Sequence, residues 1–289
     1  MRDSKGEKLF YLTNYLILAL IALSCIFPLL NVASLSLSGA TAVAAGKVTI
    51  WPVDFSFFSY DSLFKGTPII RAFWNSVQIT LIGTALSMLT TIMAAYPLSR
   101  RQFYGRRFFT MAMVFTMIFN GGLIPTYLVV QNLGLVNSYA ALWLPALVST
   151  YNMLLMRSSF EQLPREVDEA AKIDGCGELG VLFRIVLPLS KPMLATLALF
   201  YGVGYWNAFM NVLIYINDTA KFNMTVLVQN MIKSTSMIQD FNDPTMIANI
   251  TAEGIRSAAV IVMIIPILAV YPLLQKYFVK GVMLGSIKG

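Results

Sequence analysis

Long tracts of this chain carry no charge, and that absence constrains the fold more than any residue present. No Asp, Glu, Lys or Arg occurs from Leu9 to Gly46, Ala72 to Ser99, Phe108 to Met156, Pro192 to Asn217 or Ser257 to Gln275. A helix that crosses a bilayer needs about 20 apolar residues, and each tract supplies them or nearly does. Only 12% of the 289 residues are charged, against about 25% in a soluble domain. No long polar block is left to form one, and no regular alternation suggests a barrel. The expected fold class is an all-α, polytopic membrane protein.

The third tract is too long for one helix and is interrupted by "NGGLIP" (Asn120 to Pro125) and "QNLGLVNS" (Gln131 to Ser138), both turn-rich. Splitting it gives six expected spans, at about 11–35, 73–97, 108–130, 139–157, 192–216 and 256–278. They make a single transmembrane domain over residues 1–289, with loops at 36–71, 158–191 and 217–255. Lys5 and Lys8 before the first span, and "AVA" at Ala42 to Ala44 after it, outline a secretory signal. The apolar run is too long for a signal core, so it is read as a retained span.

The net charge of +7 is a matter of topology rather than of nucleic-acid binding. Arg2, Lys5 and Lys8 precede span one; Arg100, Arg101, Arg106 and Arg107 join spans two and three. Arg157, Arg165, Lys172, Arg184 and Lys191 join spans four and five, and Lys276, Lys280 and Lys288 follow span six. The alternate loops hold few cations, among them Lys47, Lys65, Lys221 and Lys233. Cytoplasmic loops carry the Lys/Arg excess, so both termini are expected in the cytoplasm. The chain has no histidine, which excludes a Ser-His-Asp triad and a histidine metal site. No acidic residue lies mid-span, against a proton relay through the bilayer. Cys25 and Cys176 fall in a span and a cytoplasmic loop, so they do not pair.

Outside, "WPVDFSFFSYDSLF" begins at Trp51 and carries aromatics suited to the membrane interface. "FNMTVLVQNMI" (Phe222 to Ile232) is too short to span and is read as a packed surface helix, or as a loop touching an external partner. Inside, the connection from Arg157 to Lys191 dominates. Pro164 suits a first helical turn, Glu166, Asp168 and Glu169 favour the positive end of a helix dipole, and Gly175 stands at the C-cap. Leu163, Val167, Ala170, Ala171 and Asp174 share one small face, which admits another backbone closely. A second helical run places Leu179, Leu182, Phe183 and Val186 on one face before Leu187, Pro188 and Pro192 restart the chain. Two readings fit: a cover over the ends of the spans, or a docking element for a cytoplasmic partner.

"EAAKIDGCGELGVLFRIVLPLSKP" (Glu169 to Pro192) closely resembles the EAA loop of ABC importer permeases, E-A-A-x-x-D-G-A followed by I-x-L-P. Glu169, Ala170, Ala171, Asp174 and Gly175 match its first half, and Ile185, Leu187 and Pro188 its second; Cys176 replaces the usual alanine. "YWNAFMNVLIY" (Tyr205 to Tyr215) resembles a signature of maltose-type sugar permeases, and the ending "YFVKGVMLGSIKG" resembles the tail of their second permease. "NGGLIPTYLVVQNLGLVNSYAALWLP" is similar to a branch that takes up complex oligosaccharides in Gram-positive bacteria.

The resemblance implies a type I ABC importer permease in the bacterial plasma membrane. It implies a second permease, forming a heterodimer, two cytoplasmic ATPases and an extracytoplasmic solute-binding lipoprotein. Docking to the ATPase then falls to Glu169, Ala170, Ala171, Asp174 and Gly175, flanked by Pro164 and Pro188. No G-x-x-x-x-G-K-[ST] motif occurs, so ATP and Mg are expected on the partner and the chain is expected to be non-catalytic. Tyr201, Tyr205, Trp206, Asn207 and Asn211 offer aromatic faces and amides to a sugar, or equally anchor and bridge helices. The alternatives are an ABC permease for a non-sugar solute and an ATP-independent carrier.

Overall fold

A computed structural model describes residues 5–164, 166, 169, 171, 173, 175–233 and 251–281. Among them the chain is helical, with no strand. It packs as two compact units, residues 1–70 with 227–265 and residues 71–226 with 266–289. Among the described residues three helices are long and apolar enough to span a membrane: α1 (Lys5–Ser36) from Gly6, α4 (Ile69–Ser99), and α13 (Ala252–Gly281) as far as Val270. Two bent pairs raise that number to five if each pair is one span.

Both bends fall where the backbone has lost a helical partner. α5 (Arg106–Ile118) and α6 (Leu123–Asn132) meet at 113°, so the span expected over 108–130 is a broken or re-entrant one. Gly122 turns the corner at a φ of 85°, in the left-handed region that glycine enters freely. The Asn120 side-chain oxygen accepts the Gly122 N–H at 2.9 Å. α9 (Glu178–Leu189) meets α10 (Lys191–Trp206) at 82°, and Pro192 stands in the first turn of α10. Within α9 the chain widens to a π turn over Leu182–Val186. Pro188, four residues after Arg184, offers no N–H to the Arg184 carbonyl and crowds it, and the wider turn relieves that conflict.

The stretch expected to span over 139–157 is also discontinuous. A short helix, α7 (Ala140–Trp143), passes into a 3₁₀ turn at Leu144–Ala146, and α8 (Thr150–Glu161) begins after Ser149. The backbone groups freed at this break are taken up by its neighbours. Thr90 Oγ1 donates to the Leu147 carbonyl at 2.9 Å, and the Ser149 N–H donates to the Tyr201 hydroxyl at 3.0 Å. The span expected over 192–216 is likewise interrupted, with α10 ending at Trp206 and a separate α11 (Met210–Tyr215) following.

α4 and α10 form the seam that organises the larger unit. Gly83, Ser87 and Thr91 recur every four residues on α4 and so share one face. The Tyr205 ring lies so close over Gly83 that a Cβ there would stand 2.8 Å from it, and its hydroxyl lies 2.9 Å from Ser87 Oγ. One turn along, the Tyr201 hydroxyl is 2.7 Å from Thr91 Oγ1. Small residues on one helix thus admit large ones from the other, with each polar tip satisfied. Beyond the seam, Asn137 sits at a φ of 62° and its side-chain oxygen accepts the N–H groups of Asn217 and Asp218. Asn75 donates to the carbonyls of Ala220 and Phe222, so the loop after α11 is clasped from two sides.

In the smaller unit, α1 continues into a folded segment rather than a free loop. α2 (Ala40–Ala44) and α3 (Phe58–Gly66) flank it. Gly39 approaches Asp54 so closely that an added Cβ would stand 3.0 Å from the Asp54 Cβ. "FNMTVLVQNMI" forms α12 (Met224–Lys233), which belongs to this unit only from Leu227 onward; Asn223 caps it by accepting the Val226 N–H at 3.0 Å. Met224, Val226, Leu227, Val228 and Met231 are buried, as expected of a packed surface helix.

Gly83→Ala forces the enclosed Tyr205 ring off Ser87 and is expected to cost about 1–3 kcal/mol. Thermal unfolding of the purified protein checks this; an unchanged midpoint would contradict the ring-over-glycine packing.

Candidate functional site

The connection that follows α8 is a short helix presenting two different faces. Glu166, Glu169, Ala171 and Ile173 are helical, and Pro164 is exposed just before them. Ala170, Asp174, Arg165, Val167, Asp168 and Lys172 lie outside the described residues. Gly175 ends the helix at a φ of 80°. The Cys176 N–H donates to the Ala171 carbonyl at 2.9 Å, the long hydrogen bond of a Schellman cap. Nothing stands within 4 Å of a Cβ added to Gly175, so its constraint is conformational and not steric.

Ala171, expected on the small face that admits a partner's backbone, packs instead against its own chain. It is only 6% exposed and joins the core cluster of Met156, Phe160, Val181 and Val186. Its small side chain lets the helix settle onto its own chain. The outward face carries Glu166, Glu169 and Ile173, spaced three and four residues apart, with Ile173 86% exposed. The second run divides in the same way. Leu182 and Val186 are buried, whereas Leu179 and Phe183, one turn apart, are exposed.

Two polar clusters fix this region to the ends of the longer helices. The Tyr96 hydroxyl lies 3.0 Å from the Glu178 carboxylate and 3.1 Å from the Glu178 carbonyl, and accepts from the Arg100 guanidinium at 3.0 Å. The guanidinium carbon is 4.5 Å from the centroid of the same ring, a cation–π arrangement. The end of α4 is thereby joined to the first turn of α9, three residues beyond Gly175. The second cluster centres on Glu161, which accepts from Arg106 and from Arg157 Nε at 2.8 Å. Arg157 also donates to Thr110 Oγ1 at 2.8 Å, tying α8 to α5. Between the clusters lies a cavity of about 820 Å³, bordered by Arg100, Arg101, Arg106, Glu161, Glu169 and Glu178.

The residues expected along a solute path separate by burial. Tyr201, Tyr205 and Trp206 are buried, and both hydroxyls are engaged by α4. Trp206 packs edge-on to Phe73 with centroids 6.0 Å apart. Asn207, which caps α10, and Asn211 are exposed. Reading the sequence alone missed Gly83, Tyr96 and Glu178. A glycine amid an apolar tract signalled the first; nothing local signals that Tyr96 and Glu178 meet.

The family can now be stated. Residues 82–284 match the family described as "Binding-protein-dependent transport system inner membrane component", and the chain belongs to it. Members are transport-system permeases that sit in the membrane. The polygalacturonan/rhamnogalacturonan transport system permease protein YtcP of Bacillus subtilis is 42% identical over 284 residues, covering 98% of this chain and 99% of the relative. Protein LplC of the same organism is 40% identical over 289 residues, covering 100% of this chain and 98% of the relative. A chain from the crystal structure of a bacterial ABC transporter involved in import of the acidic polysaccharide alginate superposes with a TM-score of 0.88 at 30% identity. That match covers 96% of this chain and 99% of the other, and it places the protein in the type I ABC permease fold.

Tyr96→Phe removes the hydroxyl and keeps the ring. It is expected to weaken the junction by about 1 kcal/mol per lost hydrogen bond, seen as faster amide hydrogen exchange over residues 176–182 with exchange in α10 unchanged.

Proposed function

We propose that this chain is one permease subunit of an ATP-driven oligosaccharide importer, supplying half of the translocation pathway. The observation that carries the reading is the outward face of Glu166, Glu169 and Ile173 on a helix closed by left-handed Gly175. It is an exposed face on a helix with a defined end, on a chain whose sequence carries no nucleotide loop. A cytoplasmic ATPase docks there and binds ATP and Mg, and the permease itself catalyses nothing. Glu169, Ala170, Asp174 and Gly175 form the contact, Ala171 seats the helix on its own permease, and Pro164 and Pro188 delimit the element. Closure of two ATPases pushes this helix and its counterpart on a second, non-identical permease. The Tyr96–Glu178 junction carries the motion into α4, so two states biased at one site are read out at another.

The proposed topology has six membrane crossings, with both termini in the cytoplasm of a bacterial cell. Three of the crossings run through the bent and interrupted segments over 108–130, 139–157 and 192–216. An extracytoplasmic solute-binding protein delivers the cargo, in keeping with the family's description. Oligosaccharide is the cargo class that the relatives' names support. Arabinooligosaccharide and galactooligosaccharide permeases of Bacillus subtilis match at 28% and 30% identity over 100% and 96% of this chain. The exposed amides of Asn207 and Asn211 face the path and meet sugar hydroxyls, while Tyr201, Tyr205 and Trp206 hold α10 behind them.

Reconstituted with its native partners, the complex is expected to hydrolyse ATP faster with loaded binding protein, and to accumulate one class from a panel of neutral and acidic oligosaccharides. Accumulation by this chain alone, without an ATPase, would identify an ATP-independent carrier. Gly175→Leu places a branched side chain at a left-handed position, costing about 1–2 kcal/mol. It is expected to detach the ATPase or to separate hydrolysis from uptake, whereas Gly175→Asn retains both. Full uptake by the leucine variant at normal abundance would end the docking assignment. Asn207→Ala is expected to reduce uptake roughly fivefold, the equivalent of about 1 kcal/mol for one hydrogen bond.

A further inference from the structure

We infer that the segment following α1 is a membrane-interface anchor, with Trp51 seated among the lipid headgroups of the leaflet at the far end of that helix. The inference rests only on the part of the proposed function in which α1 crosses the bilayer.

The segment folds back along α1 and does not simply leave it. Asn31 Nδ2 donates to the Thr49 carbonyl at 2.7 Å, and Ser34 Oγ donates to the Ile50 carbonyl. Higher up, the Val53 N–H donates to Ser38 Oγ at 3.1 Å, the Gly39 N–H to the Val53 carbonyl at 3.0 Å, and the Ser56 N–H to the Leu37 carbonyl at 2.9 Å. The chain therefore descends through α2 to the level of Asn31 and climbs again beside the last turns of α1.

Depth along α1 then locates Trp51. Counting from Leu9, where charge ceases, at 1.5 Å per residue, Asn31 lies about 33 Å along the axis and Ser34 about 37 Å. The hydrocarbon core is about 30 Å thick, and the headgroup layer extends roughly 5–7 Å beyond it. A tilt of about 20° leaves both levels within that layer. Trp51 is held there by the hydrogen bonds of Thr49, Ile50 and Val53 on either side of it, and it is 79% exposed. An indole combines a large apolar face with one N–H donor, which suits this layer better than either water or acyl chains. Lys47, also exposed, stands four residues earlier, where its stem can lie in lipid and its ammonium among phosphates. Phe55 and Phe57, both exposed and edge-to-face at 5.1 Å, extend the aromatic surface above it.

The test uses the complete transporter in vesicles of phosphatidylcholine brominated at shallow or deep acyl carbons. The fluorescence difference between the native protein and Trp51→Phe isolates Trp51 from the other tryptophans. That difference is expected to be lost with shallow bromines, largely kept with deep ones, and little affected by aqueous acrylamide. Asn31→Ala with Ser34→Ala is expected to release the segment and open Trp51 to acrylamide. A Trp51 contribution quenched by acrylamide and indifferent to bromine would overturn the inference. So would one shielded only when solute-binding protein is added, which would make this a protein-docking face. Side-specific labelling of Lys8→Cys and Lys47→Cys distinguishes a failure of α1 to span from a failure of the anchor.

Discussion

Every polar backbone group at membrane depth needs a partner within the protein, and the structure depends on how that need is met wherever a helix breaks. A continuous helix satisfies itself, so α1 and α4 require little from their surroundings to exist. The break between α7 and α8 is different. Its freed groups are taken by Thr90 and Tyr201, residues on two other helices that must already be in place. The same two helices meet through Gly83, Ser87 and Thr91 against Tyr205 and Tyr201. One polar, small-residue seam therefore holds the helix pair and supports the interrupted segment beside it.

That arrangement assigns the tyrosines a different task from the one their chemistry suggests. An aromatic ring with a hydroxyl is a natural sugar platform, but a hydroxyl already paired inside the protein has little left to offer a passing solute. Asn207, at the cap of α10, and Asn211, in α11, are exposed and stand outside that seam. The buried residues set the position of α10, and with it that of Asn207 at its cap. Buried support and exposed amides thus lie side by side in one short sequence.

The short helix closed by Gly175 follows similar logic beside the C-terminal end of α4. Ala171 faces inward because only a small side chain allows the helix to lie against Met156, Phe160 and Val186. Glu169 and Ile173 face outward because they sit on the opposite side of the same turn and a half. Gly175 stops the helix, and Glu178 at once engages Tyr96. A force applied to the outer face therefore reaches a clamped element and not a loose loop.

The charge-free tracts by themselves determined that the protein is helical and membrane-embedded, because no other backbone arrangement made of such residues satisfies itself in lipid. Local chemistry also announced the turn at Asn120 to Gly122, the left-handed stop at Gly175 and the buried helix after Asn223, since each depends on residues adjacent in sequence. Helix continuity was not legible. Whether apolar residues run straight or break at Pro145 depends on who satisfies the broken backbone, and those partners lie far away in the chain. The inward turn of Ala171, the burial of Tyr201 and Tyr205, and the meeting of Tyr96 with Glu178 were decided only by tertiary structure. Each is a pairing between distant residues of similar local preference, and only packing selects among the partners such residues have in principle.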